Sequence, residues 1–129
     1  MPAQGVSTDE VRLVLPAQPE YVRLARLTAA GLASRMGFNY DEVEDLRIAV
    51  DELCYLLVGA DGRGGTIVLS FHADPLGMRI TGEGAAMRYE TGVPKLLAEQ
   101  ILAAVVDEYD VTQVDGLVKF WMMRYREAL

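Results

Sequence analysis

From Glu10 to Leu15 (EVRLVL) charged and apolar side chains alternate, which predicts a strand with one buried face, stopped by Pro16. The period then lengthens. Pro19 suits a first helical turn, and Val22, Ala25, Ala29, Leu32, Ala33 and Met36 fall on one helical stripe that Gly37 can close. Asp41 with Glu44 three residues on predicts a capping box for a second helix, Glu42 to about Val58, with the stripe Val43, Leu46, Val50, Leu53, Cys54 and Leu57. Its second half, LCYLLV, is apolar nearly all round, the mark of a helix end buried on several sides.

Beyond the glycine-rich loop Asp61 to Gly65, the pattern predicts strands Thr66 to Ala73 and Met78 to Thr81 around a turn at Asp74, Pro75, Leu76 and Gly77. Gly82, Gly84 and Gly92 predict an irregular stretch. A third helix starting near Pro94 carries Leu97, Ile101, Ala104 and Val105. Two final strands, Glu108 to Val114 and Leu117 to Tyr125, are joined by Asp115-Gly116, a pair suited to a two-residue type I′ turn. The order is strand, helix, helix, strand, strand, helix, strand, strand. It predicts an α+β fold: a two-layer sandwich of a mixed or antiparallel sheet covered on one face by helices. No repeat and no linker divides residues 1–129, so one domain is expected, with residues 1–9 a candidate flexible lead.

Composition narrows the function. The chain has 129 residues, 51% hydrophobic and 24% charged, enough to bury a core without a disulfide or metal. Twelve Lys+Arg against nineteen Asp+Glu give a net charge of −7, which argues against a phosphate-backbone partner and makes protein partners the better expectation. One cysteine and no basic-then-apolar leader at the start point to the cytoplasm. No apolar run approaches the roughly 20 residues that span a bilayer.

Few side chains carry obvious chemistry. His72 is the only histidine, with no ligand-spaced partner for zinc, so no metal site is expected. Cys54 lies in an apolar stripe and reads as packing. The loop DGRGG lacks the Gly-Lys-Ser/Thr of a phosphate loop and precedes a strand. Trp121, Met122 and Met123 on the last strand read as core before they read as an interaction surface. Arg23, Arg26, Leu27, Ala30 and Ser34 share the helix face opposite the first apolar stripe, an odd mixture for a solvated face. The arginine stems either cover apolar surface or mark a contact face, and neither arginine is expected to be needed for the core.

The stretch LPAQPEYVRLARLTAAGLASRMGFNYDEVEDLRIAVDELC, Leu15 to Cys54, resembles the anti-sigma serine kinases of bacterial stress-response and sporulation switches, members of the histidine-kinase-like (Bergerat or GHKL) ATPase superfamily. The resemblance implies that superfamily's sandwich fold. It also implies partners: a sigma factor, and an anti-anti-sigma (STAS-type) protein phosphorylated on serine. The family's partner-binding arginine corresponds to Arg26, with Arg23 one turn before it and Leu27 and Ala30 beside it. Family members pair through the first strand, which implies a homodimer.

Three family motifs test the nucleotide site. The first is a Glu, the general base, followed four residues later by an Asn whose oxygen meets Mg²⁺. Glu52 is present but Leu56 stands at the second position. In the family's Asp-x-Gly-x-Gly motif, Gly82 stands for the Asp that accepts from adenine, Gly84 remains, and Ala86 replaces the last glycine. In register with VVDEYDV, the phosphate-cradling glycines of the lid become Leu96, Leu97 and Ala98, and the lid is shortened. The expectation is therefore a pseudokinase with a degenerate site and no cofactor: no enzyme, an anti-sigma-like regulator acting by protein binding, with Glu52 vestigial. The alternative is a weakly active ATP-dependent serine kinase using Glu52 as base. A third possibility is a structural partner that pairs with an active kinase paralogue.

Overall fold

The computed structural model describes residues 9–59, 61–62, 64–85 and 93–126. Its elements are β1 (Asp9–Pro16), a 3₁₀ turn (Pro19–Tyr21), α1 (Val22–Arg35), α2 (Tyr40–Val58), β2 (Thr66–Asp74), β3 (Gly77–Ala85), α3 (Val93–Val105), β4 (Glu108–Val114) and β5 (Leu117–Tyr125). The sheet order is β1-β2-β3-β5-β4. Every pairing is antiparallel, which settles the mixed-or-antiparallel alternative. The three helices form the second layer, with α2 packed between α1 and α3.

Alternation explains the layering. On β2, Ile67, Leu69, Phe71 and Ala73 are buried toward the helices. Val118, Phe120 and Met122 do the same on β5. The opposite face of the sheet carries Arg12, Ser70, Arg79, Thr81, Lys119 and Asp110, and there the Arg79 guanidinium stacks 4.8 Å from the centre of the half-buried Trp121 ring. Met122 is core, as expected, whereas Trp121 belongs to the outer face. His72 lies on that same face, its Nε2 3.9 Å from Glu10.

Helix α1 buries Ala25, Ala29 and Ala33 completely, and these methyl-sized side chains let α2 come close. It ends as its sequence predicts. Gly37 takes φ +87, its N–H donates to Ser34, and the Phe38 N–H donates to the Ala33 carbonyl, a Schellman arrangement. The β4–β5 turn also behaves as expected, with positive φ at both Asp115 and Gly116.

Three further expectations need correction. The capping box is Asn39 with Glu42, not Asp41 with Glu44: the Asn39 side chain accepts from the Glu42 N–H and Glu42 accepts from the Asn39 N–H, both at 2.8 Å. Both pairs satisfy the pattern. The earlier one places buried Phe38 and the partly buried Val43 at the two staple positions, while Glu44 pairs with Arg47 at 2.8 Å. Next, the core stripe of α3 is Ala98, Leu102 and Val105, whereas Leu97 is 54% exposed and Ala104 is exposed. A helix apolar on more than one side leaves its rotation to its neighbours. Last, Gly82 and Gly84 are paired strand residues rather than irregular ones, opposite Leu69 and Phe120, and Ile67 and Val118.

Gly82 is needed because of its neighbours. A Cβ there would sit 2.7 Å from Phe120 Cε2 and 2.8 Å from Leu69 Cδ2, so the missing side chain makes room for the Phe120 ring on the core face. Gly82→Ala is expected to destabilise the fold by about 1–3 kcal/mol through overpacking. Adding Phe120→Leu should recover part of that loss. Urea melts of the two single variants and the double variant measure the coupling, and simple additivity would show that the two sites do not touch.

Candidate functional site

The residues of interest gather around α2. Glu52 and Leu56 are four apart and therefore stack on one face of the helix. The end of α2 lies over β3, because a Cβ at Gly84 would meet Leu57 Cδ2 at 3.7 Å. The fold thus brings the Glu52 motif toward the Gly82–Gly84 motif. Ala86 falls outside the described residues, as do residues 87–92 and with them the expected short lid. Leu96 lies in α3. Ala98 is buried in the second turn of that helix, where the backbone N–H already serves a helical bond and cannot cradle a phosphate.

Glu52 is half-buried. Burial raises its carboxyl above the ordinary value, and the charge of Asp51 raises it further. Leu56, one turn on, is 2% exposed and packs into the core. It supplies no oxygen, and among the described residues no group of three His, Cys, Asp or Glu could hold a metal. These residues do not fit a magnesium ion at that position. Cys54 is completely buried, and its thiol is pushed up to about 12 by burial first and by Asp51 second, so it stays a neutral packing group as expected.

The outer face of α1 holds one residue with a partner on another element. Arg23 and Leu27 are exposed, and Ala30 is half-exposed. Arg26 is not independent of the fold: its Nε lies 2.7 Å from Asp51 Oδ1 across the α1–α2 seam. The antiparallel helix pair turns at Gly37, which places residue 26 beside residue 51, so nearness in space could not be seen from spacing along either helix. With side chains 35% and 46% exposed, such a pair contributes only about 0–1 kcal/mol. Burial nevertheless raises the Asp51 carboxyl, and the nearby Arg26 and Arg47 offset only part of that rise. A carboxyl whose pKa is raised on folding holds its proton more tightly in the folded chain. Stability from it is therefore present at low pH and lost as pH rises through the folded pKa.

Comparison with known proteins decides the family. Residues 15–113 match the model of the histidine kinase-like ATPase domain. The chain belongs to this family. A serine-protein kinase RsbW from Bacillus pumilus is 38% identical over 91 residues, which cover 65% of this chain and 56% of that protein. The protein of the same name from Listeria innocua is 42% identical over 88 residues, covering 64% and 56%. The chain thus spans about half the length of these curated relatives. A crystal structure of the RsbU and RsbW domains of a Mycobacterium tuberculosis protein superposes with a TM-score of 0.72 over 93% of this chain and 33% of that one, at 15% identity, and shares the fold.

These matches overturn the expectation that the chain is no enzyme. The matched domain is a kinase-like ATPase domain and the relatives are named serine-protein kinases, which point to an enzyme. The three motif positions concern single side chains, whereas the match runs from the end of β1 into β4 and takes in all three helices and Glu52. Among the described residues no helix is long and apolar enough to cross a membrane.

The neighbouring carboxylates give a direct check of the site's electrostatics. Asp51→Asn should lower the Glu52 pKa, because it removes a like charge, yet leave it above the ordinary value, because burial remains the larger cause. A carboxyl-carbon NMR titration reads this, and an unchanged Glu52 midpoint would show that the two groups do not interact.

Proposed function

We propose that this chain is the core of a regulatory serine-protein kinase of the anti-sigma type, acting in a bacterial stress-response or sporulation-type switch in the cytoplasm. It binds a sigma factor or a STAS-type anti-anti-sigma protein through the outer face of α1, and transfers phosphate to a serine of the latter. The observation that carries this is the face itself. Arg23, half-buried Arg26, Leu27 at 61% exposure and Leu24 at 45% set cations beside uncovered apolar side chains, the composition of a protein interface. The net charge of −7 disfavours nucleic acid as the direct partner.

Glu52 is the proposed base. A half-buried carboxylate with a raised pKa is a better proton acceptor from a serine hydroxyl than a solvated one. Leu56 offers no ligand to a metal ion. Incubation with γ-labelled ATP and a STAS-type protein bearing the acceptor serine should label that serine, and Glu52→Gln should slow labelling by about 100-fold or more. Absence of label, or equal rates in parent and variant, would refute the kinase assignment.

We also propose a homodimer through β1 and the surface near it. That strand lies at a sheet edge, and Val14 on it is 60% exposed. Light scattering at micromolar concentration should give about twice the 14.2 kDa of one chain. A species of single-chain mass alone would refute pairing.

A further inference from the structure

The ion pair across the α1–α2 seam joins two groups that other features set apart. Arg26 Nε is 2.7 Å from Asp51 Oδ1 and shielded from solvent, and the charge and hydrogen bonding of Arg26 both pull against the burial that raises the Asp51 carboxyl. Beside the pair opens a cleft of about 270 Å³, between Pro19 and Val22 on one side and Tyr55, Val58 and Gly59 on the other. Its walls are largely apolar, and Arg26 and Asp51 supply its charge. Asp51 is also tethered to a helix, so it cannot reposition itself as a mobile carboxylate can.

We propose that Asp51 is an internal stand-in for an acidic side chain of a protein partner: it occupies Arg26 in the free chain and gives way when a partner segment inserts a carboxylate and a flanking apolar side chain into this cleft. Charge complementarity selects the occupant, because the arginine already holds a carboxylate, and the apolar walls call for the flanking side chain. The proposal rests on the protein-binding face of α1 and not on phosphate transfer. Displacement also leaves the Asp51 charge without its nearest cation, immediately before Glu52, so docking at the cleft reaches the proposed base.

The strength of the pair bounds the effect. A half-exposed pair favours its closed state by up to about fivefold, and an incoming carboxylate is weakened by a similar factor. The probe is a fluorescent twelve-residue helical peptide with Asp and Leu on one face, compared with its Asn-for-Asp counterpart, titrated by anisotropy into the full chain. Asp51→Asn should bind the Asp peptide about three- to sixfold more tightly than the parent. Arg26→Gln and the Arg26→Gln/Asp51→Asn double variant should lose that binding, and the Asn peptide should not distinguish the chains.

The proposal is overturned if Asp51→Asn binds no more tightly, if the gain survives in the double variant, if the Asn peptide gains equally, or if no chain binds the Asp peptide. Should Asp51→Asn fail to fold, Asp51→Ser carries the same comparison. The phosphate-labelling assay reads a different step, so loss of labelling with retained peptide binding would refute the kinase assignment alone.

Discussion

The burial of the second half of α2, Leu53 through Val58 with only Tyr55 exposed, is the constraint on which the other elements depend. Each fully buried leucine or valine contributes about 1.5–3 kcal/mol, against about 0–1 kcal/mol for a half-exposed ion pair such as Arg26 with Asp51. Packing therefore decides where α2 lies and the charged groups adapt to it. The alanines of α1 let that helix approach from one side, and Ala98 and Leu102 of α3 cover the other. Below, the glycines of β3 remove side chains that would crowd Phe120 and Ile67.

The same burial sets the chemistry. Asp51 and Glu52 are consecutive residues on the rim of the buried stretch, half covered, and both carboxyls are raised chiefly for that reason. Cys54, two residues further on, is fully enclosed and inert. One helix thus grades from a solvated beginning at Asp41 to a dry end at Val58, and the groups that can titrate or bind lie at the boundary. Arg124 secures the far side of the sandwich, with Asp45 at 3.2 Å and Asp107 at 3.7 Å joining the end of β5 to α2 and to the start of β4.

The disagreements between pattern and structure have a common form. The Asn39–Glu42 and Asp41–Glu44 boxes satisfy the same rule, and only the docking of Phe38 chooses between them. The rotation of α3 depends on what covers it, since its sequence is apolar on more than one side. Gly82 and Gly84 signal irregular backbone when taken singly, and become strand residues because Phe120 and Ile67 lie across them.

By itself the sequence determined the element order, the two-layer α+β sandwich, the Gly37 and Asp115-Gly116 turns, the inert Cys54 and the family, because periodicity, turn chemistry and a dense local resemblance are properties of neighbours along the chain. Only the tertiary structure decided that the sheet is wholly antiparallel in the order β1-β2-β3-β5-β4, that Trp121 faces outward, and that Arg26 is already held by Asp51. Those depend on contacts between residues far apart in sequence. Residue 26 meets residue 51 because two helices fold back on each other and close on a shared apolar seam, and no spacing along one helix encodes the partner it will find on the next.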